Sequence, residues 1–133
     1  AFDLIGTGRI VVIDYALPSF PAPENHQWLR TYKGHGRGGS PLAEPGSQDI
    51  TADVDLRQLG TERIPDSIRM QHVWLRSLGI SDLVEEGKRI WSKNAANPNI
   101  EALAARSRSA EAEALLDPNG LGGFKVVEWE IAP

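Results

Sequence analysis

Ile10-Val11-Val12-Ile13 sets four β-branched apolar residues side by side. A strand with one wet face alternates apolar and polar residues. An unbroken run reads instead as a strand covered on both faces, the pattern of parallel sheets in α/β proteins. Asp14 and Tyr15 follow the run directly. Ligands of open α/β sheets bind beyond the carboxyl ends of the strands, so this pair leads the candidate site residues.

A second constraint lies between Pro45 and Leu56. Asp49, Thr51, Asp53 and Asp55 alternate there with Ile50, Ala52, Val54 and Leu56. That is a strand period, with one apolar face and one rich in carboxylates. Ionised carboxylates are rarely buried without partners, so this face is expected to meet water, a cation or a positively charged substrate. Asp55 also reads as the N-cap of a short helix ending at Gly60. Upstream, Trp28–Lys33 reads as a short strand. Gly34–Ser40 reads as a flexible glycine loop whose N–H groups and Arg37 guanidinium are candidate anion holders. Pro18, Pro21 and Pro23 make Leu17–Gln27 a loop.

The remainder is mainly helical. One helix is expected from about Ser67 to Leu78, stopped by Gly79. Ser81 reads as the next cap, with Asp82, Glu85 and Glu86 near the positive end. Leu83, Val84, Gly87, Ile90 and Trp91 share a face. Asn97-Pro98 opens a third helix, on which Ile100, Leu103, Ala104 and Ser107 continue that face. Asp117–Gly120 is a turn. Phe124–Ile131 is a strand with Val127, Trp129 and Ile131 on one side. Strands 9–15 and 124–131 are expected in one sheet, and residues 1–8 read as the end of a helix.

Composition removes several classes of function. The 133 residues, 41% of them hydrophobic, suffice for a real core. Cysteine is absent, which excludes disulfides, Cys-ligated zinc and a thiol nucleophile, and suits a reducing, cytoplasmic setting. No stretch approaches a membrane span. A formal charge of −4, with the basic residues scattered, argues against nucleic acid as partner. The aspartates lack calcium-loop spacing, so no metal is expected. Gly6-Thr7-Gly8 precedes a strand instead of following one and reads as a turn, not a cofactor loop. His26 and His72 stand alone and receive no role. No Gly-x-Ser-x-Gly elbow occurs.

Taken together, several blocks resemble one known family. They are Gly8–Tyr15; Leu29-Arg30-Thr31-Tyr32 with His35; Pro45-Gly46 with Asp49–Asp55; Gln71 with Leu75, Leu78, Gly79 and Ile80; Asp117-Pro118 with Gly122; and Phe124-Lys125-Val126. In this order they resemble the C-terminal portion of the MidA-like proteins, S-adenosylmethionine-dependent methyltransferases of the Rossmann-like class. The resemblance implies an α/β fold: the C-terminal part of a single Rossmann-like methyltransferase sheet over residues 1–133, with a helical insertion at about 67–116 before the last strand. It implies S-adenosylmethionine as cofactor, with the family's main donor-binding loop upstream of the matching blocks. It also implies a protein substrate, because mitochondrial members act in respiratory complex I assembly by methylating an arginine. Two departures are visible. Ala16 stands where the family usually has glycine, and the segment from Asp55 to Gln71 is short, with Pro65 weakening the strand expected before Gln71.

An arginine acceptor needs carboxylates to hold its cation and favour loss of a guanidinium proton. Asp14, Tyr15, Asp49, Asp53 and Asp55 are therefore the expected catalytic group. Arg30, Tyr32, His35 and Thr51 are the expected substrate-binding group. Without a donor half, the isolated chain is expected to be inactive. The alternative is a non-enzymatic interaction module that binds a partner through its helical region. An exposed sheet edge would favour self-association.

Overall fold

The computed structural model describes residues 2–16, 24–25, 27–59 and 61–132. Most of the expected proline loop, His26 and Gly60 lie outside them. The strands are β1 (Gly8–Asp14), β2 (Leu29–Lys33), β3 (Gly36–Arg37), β4 (Asp49–Ala52), β5 (Ser67–Met70) and β6 (Lys125–Ile131). The helices are α1 (Leu56–Leu59), α2 (Gln71–Ser77), α3 (Ile80–Asn94) and α4 (Ile100–Leu116). The chain is thus mixed α/β, with two small sheets ordered β1-β6-β5 and β3-β2-β4. It divides into two compact units, one formed by residues 1–13 with 65–133 and the other by residues 14–64.

In the first unit β6 is the middle strand, which explains why Val126 to Trp129 are all buried whichever way they point. Val127, Trp129 and Ile131 fall on one face as their spacing predicts, and the ring of Phe2 meets Trp129 edge-on at 5.8 Å. Glu128 occupies the opposite face with only 4% of its side chain exposed. It is held from both neighbouring strands. Arg9 on β1 donates to Oε1 at 3.3 Å, and Arg69 on β5 donates to Oε2 at 2.5 Å. The antiparallel register puts Arg69 opposite Val126, two residues from Glu128, so the two side chains share a face. The adjacent arginine holds the Glu128 carboxyl below its usual range, against the opposing effect of burial.

Strands 9–15 and 124–131 do share a sheet, as expected. The run in β1 does not have two covered faces, however. Ile10 and Val12 are partly covered, while Val11 and Ile13 are exposed. The expected helix from Ser67 is also corrected. Ser67–Met70 is a strand, and the helix begins at Gln71. Pro65 precedes the first paired residue, so the strand loses no ladder hydrogen bond to it. Residues 2–4 form a single 3-10 turn.

Helix boundaries shift for identifiable reasons. Gly79 adopts φ +90° and serves as the N-cap of α3, so Ser81 lies inside that helix. Asn99, not Asn97, caps α4, its side chain accepting from the Ala102 N–H at 2.8 Å. The packed face of α4 is Ala102, Ala105 and Ser109, not Ile100 and Leu103. Close approach decides this. A Cβ on Gly87 would sit 2.3 Å from Ser109 Oγ, so α3 and α4 meet through small residues. Leu83 and Ile100, 73% and 86% exposed, are left outside the seam. His72 is satisfied at the other end of the unit, its Nδ1 lying 2.9 Å from the Gly122 carbonyl. Gly122 is needed there because a Cβ would meet the Asp117 carbonyl oxygen at 2.7 Å.

Candidate functional site

All the expected site residues belong to the second unit, residues 14–64. Its frame is the antiparallel pairing of β2 with β4, Leu29 opposite Ala52 and Tyr32 opposite Asp49. The expected flexible glycine loop is instead a hairpin. β2 turns at Gly34 and His35 into β3, with Gly34 at φ +62° supplying the left-handed turn residue. Beyond β3, Gln48 holds the glycines. Its Oε1 accepts from the Gly39 N–H at 3.2 Å, and its Nε2 donates to the Ser40 carbonyl at 2.6 Å and to that of Ala43 at 3.0 Å. Gly38 must lack a side chain, since a Cβ would press on Gln48 Oε1 at 2.5 Å and Thr31 Oγ1 at 2.8 Å.

Tyr15, Arg30 and Asp53 come together. The Arg30 guanidinium pairs with Asp53 and stands 5.5 Å from the centre of the Tyr15 ring. A second nitrogen of Arg30 donates to the Gln27 carbonyl at 3.3 Å. Asp53 raises the pKa of Arg30, outweighing the opposing effect of burial. The backbone frames this cluster, for the Asp53 N–H bonds the Trp28 carbonyl and the Val54 N–H bonds that of Tyr15, at 2.8 and 2.9 Å. Thr51 sits opposite Arg30.

The carboxylate face of 49–55 is exposed at Asp49 as expected but turns inward by Asp53. The Asp53 side chain is 5% exposed, whereas Ile50 points outward. An internal guanidinium makes the burial of Asp53 tolerable, because it neutralises the carboxylate and donates a hydrogen bond to its Oδ1.

Tyr32 also acts on the Arg30 side chain and adds to the effect of Asp53 on its pKa, whereas the remaining expected residues do not join this cluster. Asp14 ends β1, exposed, its carboxylate accepting the Tyr15 N–H at 2.7 Å. Asp49 is exposed at the start of β4. The Tyr32 ring lies 5.5 Å from the Arg37 guanidinium, and His35 is exposed at the hairpin tip. Asp55 caps α1 through the Arg57 N–H at 3.1 Å and pairs with the Arg57 side chain, which keeps its pKa low. Sequence reasoning passed over Gln48, whose one signal is its place among the glycines and turns that it ties together. Among the described residues no cluster of three or more His, Asp or Glu side chains is placed to hold a metal, and no helix is long and apolar enough to cross a membrane.

These features describe a mixed α/β chain of two units, one polar and rich in arginine and aspartate, the other with an apolar core. The chain belongs to the family described as "Putative S-adenosyl-L-methionine-dependent methyltransferase", whose model matches residues 2–71, in agreement with the MidA-like resemblance. It is similar to a crystal structure of an uncharacterized ACR superfamily protein from Burkholderia thailandensis, with 26% identity and a TM-score of 0.70. That similarity covers 97% of this chain and 34% of the other, so the chain spans about a third of that protein's length. No curated protein matches.

Proposed function

We propose that this chain supplies the acceptor side of a protein arginine methyltransferase that uses S-adenosylmethionine. In this reading the chain is the C-terminal part of one Rossmann-like domain, with residues 67–116 as its insertion. The exposed Val11 and Ile13 face of β1 supports it, because a further layer packs on that face in a doubly wound sheet. Respiratory complex assembly is the physiological setting that the MidA-like resemblance implies.

The described residues do not fit the methyl donor. Gly6 precedes β1, Gly8 begins it and neither opens a helix, while the Gly38 and Gly39 N–H groups are engaged by the Thr31 carbonyl and Gln48. A donor-binding loop after a strand is thus sought elsewhere than in these residues. What they offer is a place for a cationic acceptor. The observation that carries the reading is the Arg30–Asp53 pair, which shows a guanidinium already seated on a carboxylate of this unit. Since Asp53 and Asp55 hold internal arginines, the acceptor falls to the exposed carboxylates Asp14 and Asp49. Tyr15, Thr51 and Arg30 keep the surrounding backbone in place, and Tyr32 and His35 border the approach.

The test is calorimetric titration of the chain with an arginine peptide and its lysine counterpart. The arginine peptide is expected to bind more tightly, and Asp14→Asn is expected to weaken it about fivefold. Equal binding of both peptides, or no effect of Asp14→Asn and Asp49→Asn together, rejects the proposal. A second reading, an interaction module, draws on a groove of about 320 Å³ between α3 and α4, lined by Ile80, Leu83, Ile90, Ala112 and Leu115 among others.

A further inference from the structure

Where β3 stops, the edge of β2 is left open. Along β2, Trp28, Arg30 and Tyr32 direct their main-chain groups toward β4, as the bond from the Asp53 N–H to the Trp28 carbonyl shows. Leu29, Thr31 and Lys33 therefore direct theirs toward β3. The last rung on that side is the Gly38 N–H to the Thr31 carbonyl, at 2.8 Å. After it the chain turns away, held by Gln48 through the Gly39 N–H and the Ser40 carbonyl. Among the described residues, the main chain of Leu29 then has no strand on that side, opposite β4.

A cleft of about 470 Å³ lies at this place, lined by Gln27, Leu29, Arg30, Thr31 and Arg37 and by the glycines that follow. Among the described residues, its lining holds two guanidinium groups and no carboxylate. They are unequal. Arg30 is committed to Asp53 and to the Gln27 carbonyl, and its side chain is only 16% exposed. Arg37 is exposed and rests on the face of Tyr32, which orients the guanidinium while leaving its planar fork of donors available.

We propose that this cleft binds an extended peptide segment that carries an acidic side chain. The peptide continues the line of β3, exchanges main-chain hydrogen bonds with Leu29, and presents its carboxylate to Arg37. Adding a strand to an open edge gives affinity, and the guanidinium gives selectivity. The open edge and the uncompensated guanidinium are separate observations that meet in one cleft. If the arginine methyltransferase reading holds, this peptide flanks the acceptor arginine. That clause rests on the earlier proposal, but the binding does not require methyl transfer.

The test uses the full 133-residue chain, labelled with nitrogen-15 and titrated with three probes. They are a capped pentapeptide of threonine and valine with a central aspartate, the same peptide with asparagine, and inorganic phosphate. Shifts are expected at Leu29, Gly38, Gly39 and the Arg37 side chain, with the aspartate peptide about tenfold tighter than the asparagine one. Arg37→Gln is expected to abolish that difference. Arg37→Lys keeps the charge without the fork, and is expected to retain part of the difference should the glutamine variant fold poorly. Equal binding of the two peptides, shifts confined to other residues, or no binding at all overturns the proposal. So does phosphate binding as tightly as the peptide at the same residues, which marks a simple oxyanion site. None of these outcomes bears on the arginine peptide titration, so the two proposals fail independently.

Discussion

Each unit of this chain buries a carboxylate against arginine, yet the two units are held together by different means. In the first, Glu128 lies between Arg9 and Arg69 on the middle strand, with Val126, Val127, Trp129 and Ile131 buried around it. In the second, Asp53 meets Arg30, but no apolar side chain among its described residues is buried. Thr31 is its buried side chain, bonded through Oγ1 to the Gly39 carbonyl at 2.7 Å. An apolar core resists opening because every displaced side chain meets water. A unit held by hydrogen bonds and ion pairs exchanges them for water at low net cost. The first unit is built around an apolar core. The second is built to present polar groups, and there the candidate acceptor residues lie.

The largest expected effect tests the core side of that contrast. Trp129→Ala removes a buried ring and its contact with Phe2, and should cost about 3–5 kcal/mol in chemical denaturation. A loss under about 1 kcal/mol would erase the distinction between the units.

Next comes Glu128→Gln, which leaves two arginines facing a neutral amide and should cost about 2–3 kcal/mol. Its pH dependence is the sharper reading. The folded-state pKa of Glu128 is lowered, so its contribution is present above the unfolded value of about 4.3 and disappears as pH falls through the folded value. Thermal melts from pH 6 to pH 2 should show an acid-side loss that Glu128→Gln flattens. An unchanged acid limb would mean that the clamp contributes nothing.

Gly87→Ala forces a methyl group onto Ser109 Oγ and toward the Ala105 carbonyl oxygen, 3.0 Å away, for an expected 1–3 kcal/mol. Adding Ser109→Ala should recover part of that loss. No recovery would place the clash in the backbone alone.

The smallest effect is expected in the polar unit. Arg30→Lys cannot hold Asp53 and the Gln27 carbonyl at once and loses the stack on Tyr15, for about 1 kcal/mol. Faster amide exchange should be confined to β2 and β4. A matching loss of protection in β5 and β6 would show that the two units do not open separately.

Much was legible in the residues themselves. The β-branched run at 10–13 and the apolar spacing at 127, 129 and 131 both mark strands, because neighbouring side chains in a strand point in opposite directions. The alternation at 49–52 marked β4 for the same reason, and Asp55 declared itself as a cap. The ordered blocks from Gly8 to Val126 pointed to the methyltransferase family, which the family model then matched over residues 2–71.

Other properties have no local signature. Which face of β4 turns inward depended on Arg30, a partner 23 positions away that makes a buried Asp53 tolerable. The seam between α3 and α4 depended on how closely two backbones approach, so Ala102, Ala105 and Ser109 displaced the larger Ile100 and Leu103 that periodicity favours. Ser67–Met70 became a strand because β6 offered it partners 55 to 61 positions away in sequence, which no window spans. Local sequence determined the type and direction of most elements through short-range sterics and side-chain period. Only tertiary contact decided which polar groups are buried, because that cost depends on partners brought from elsewhere in the chain.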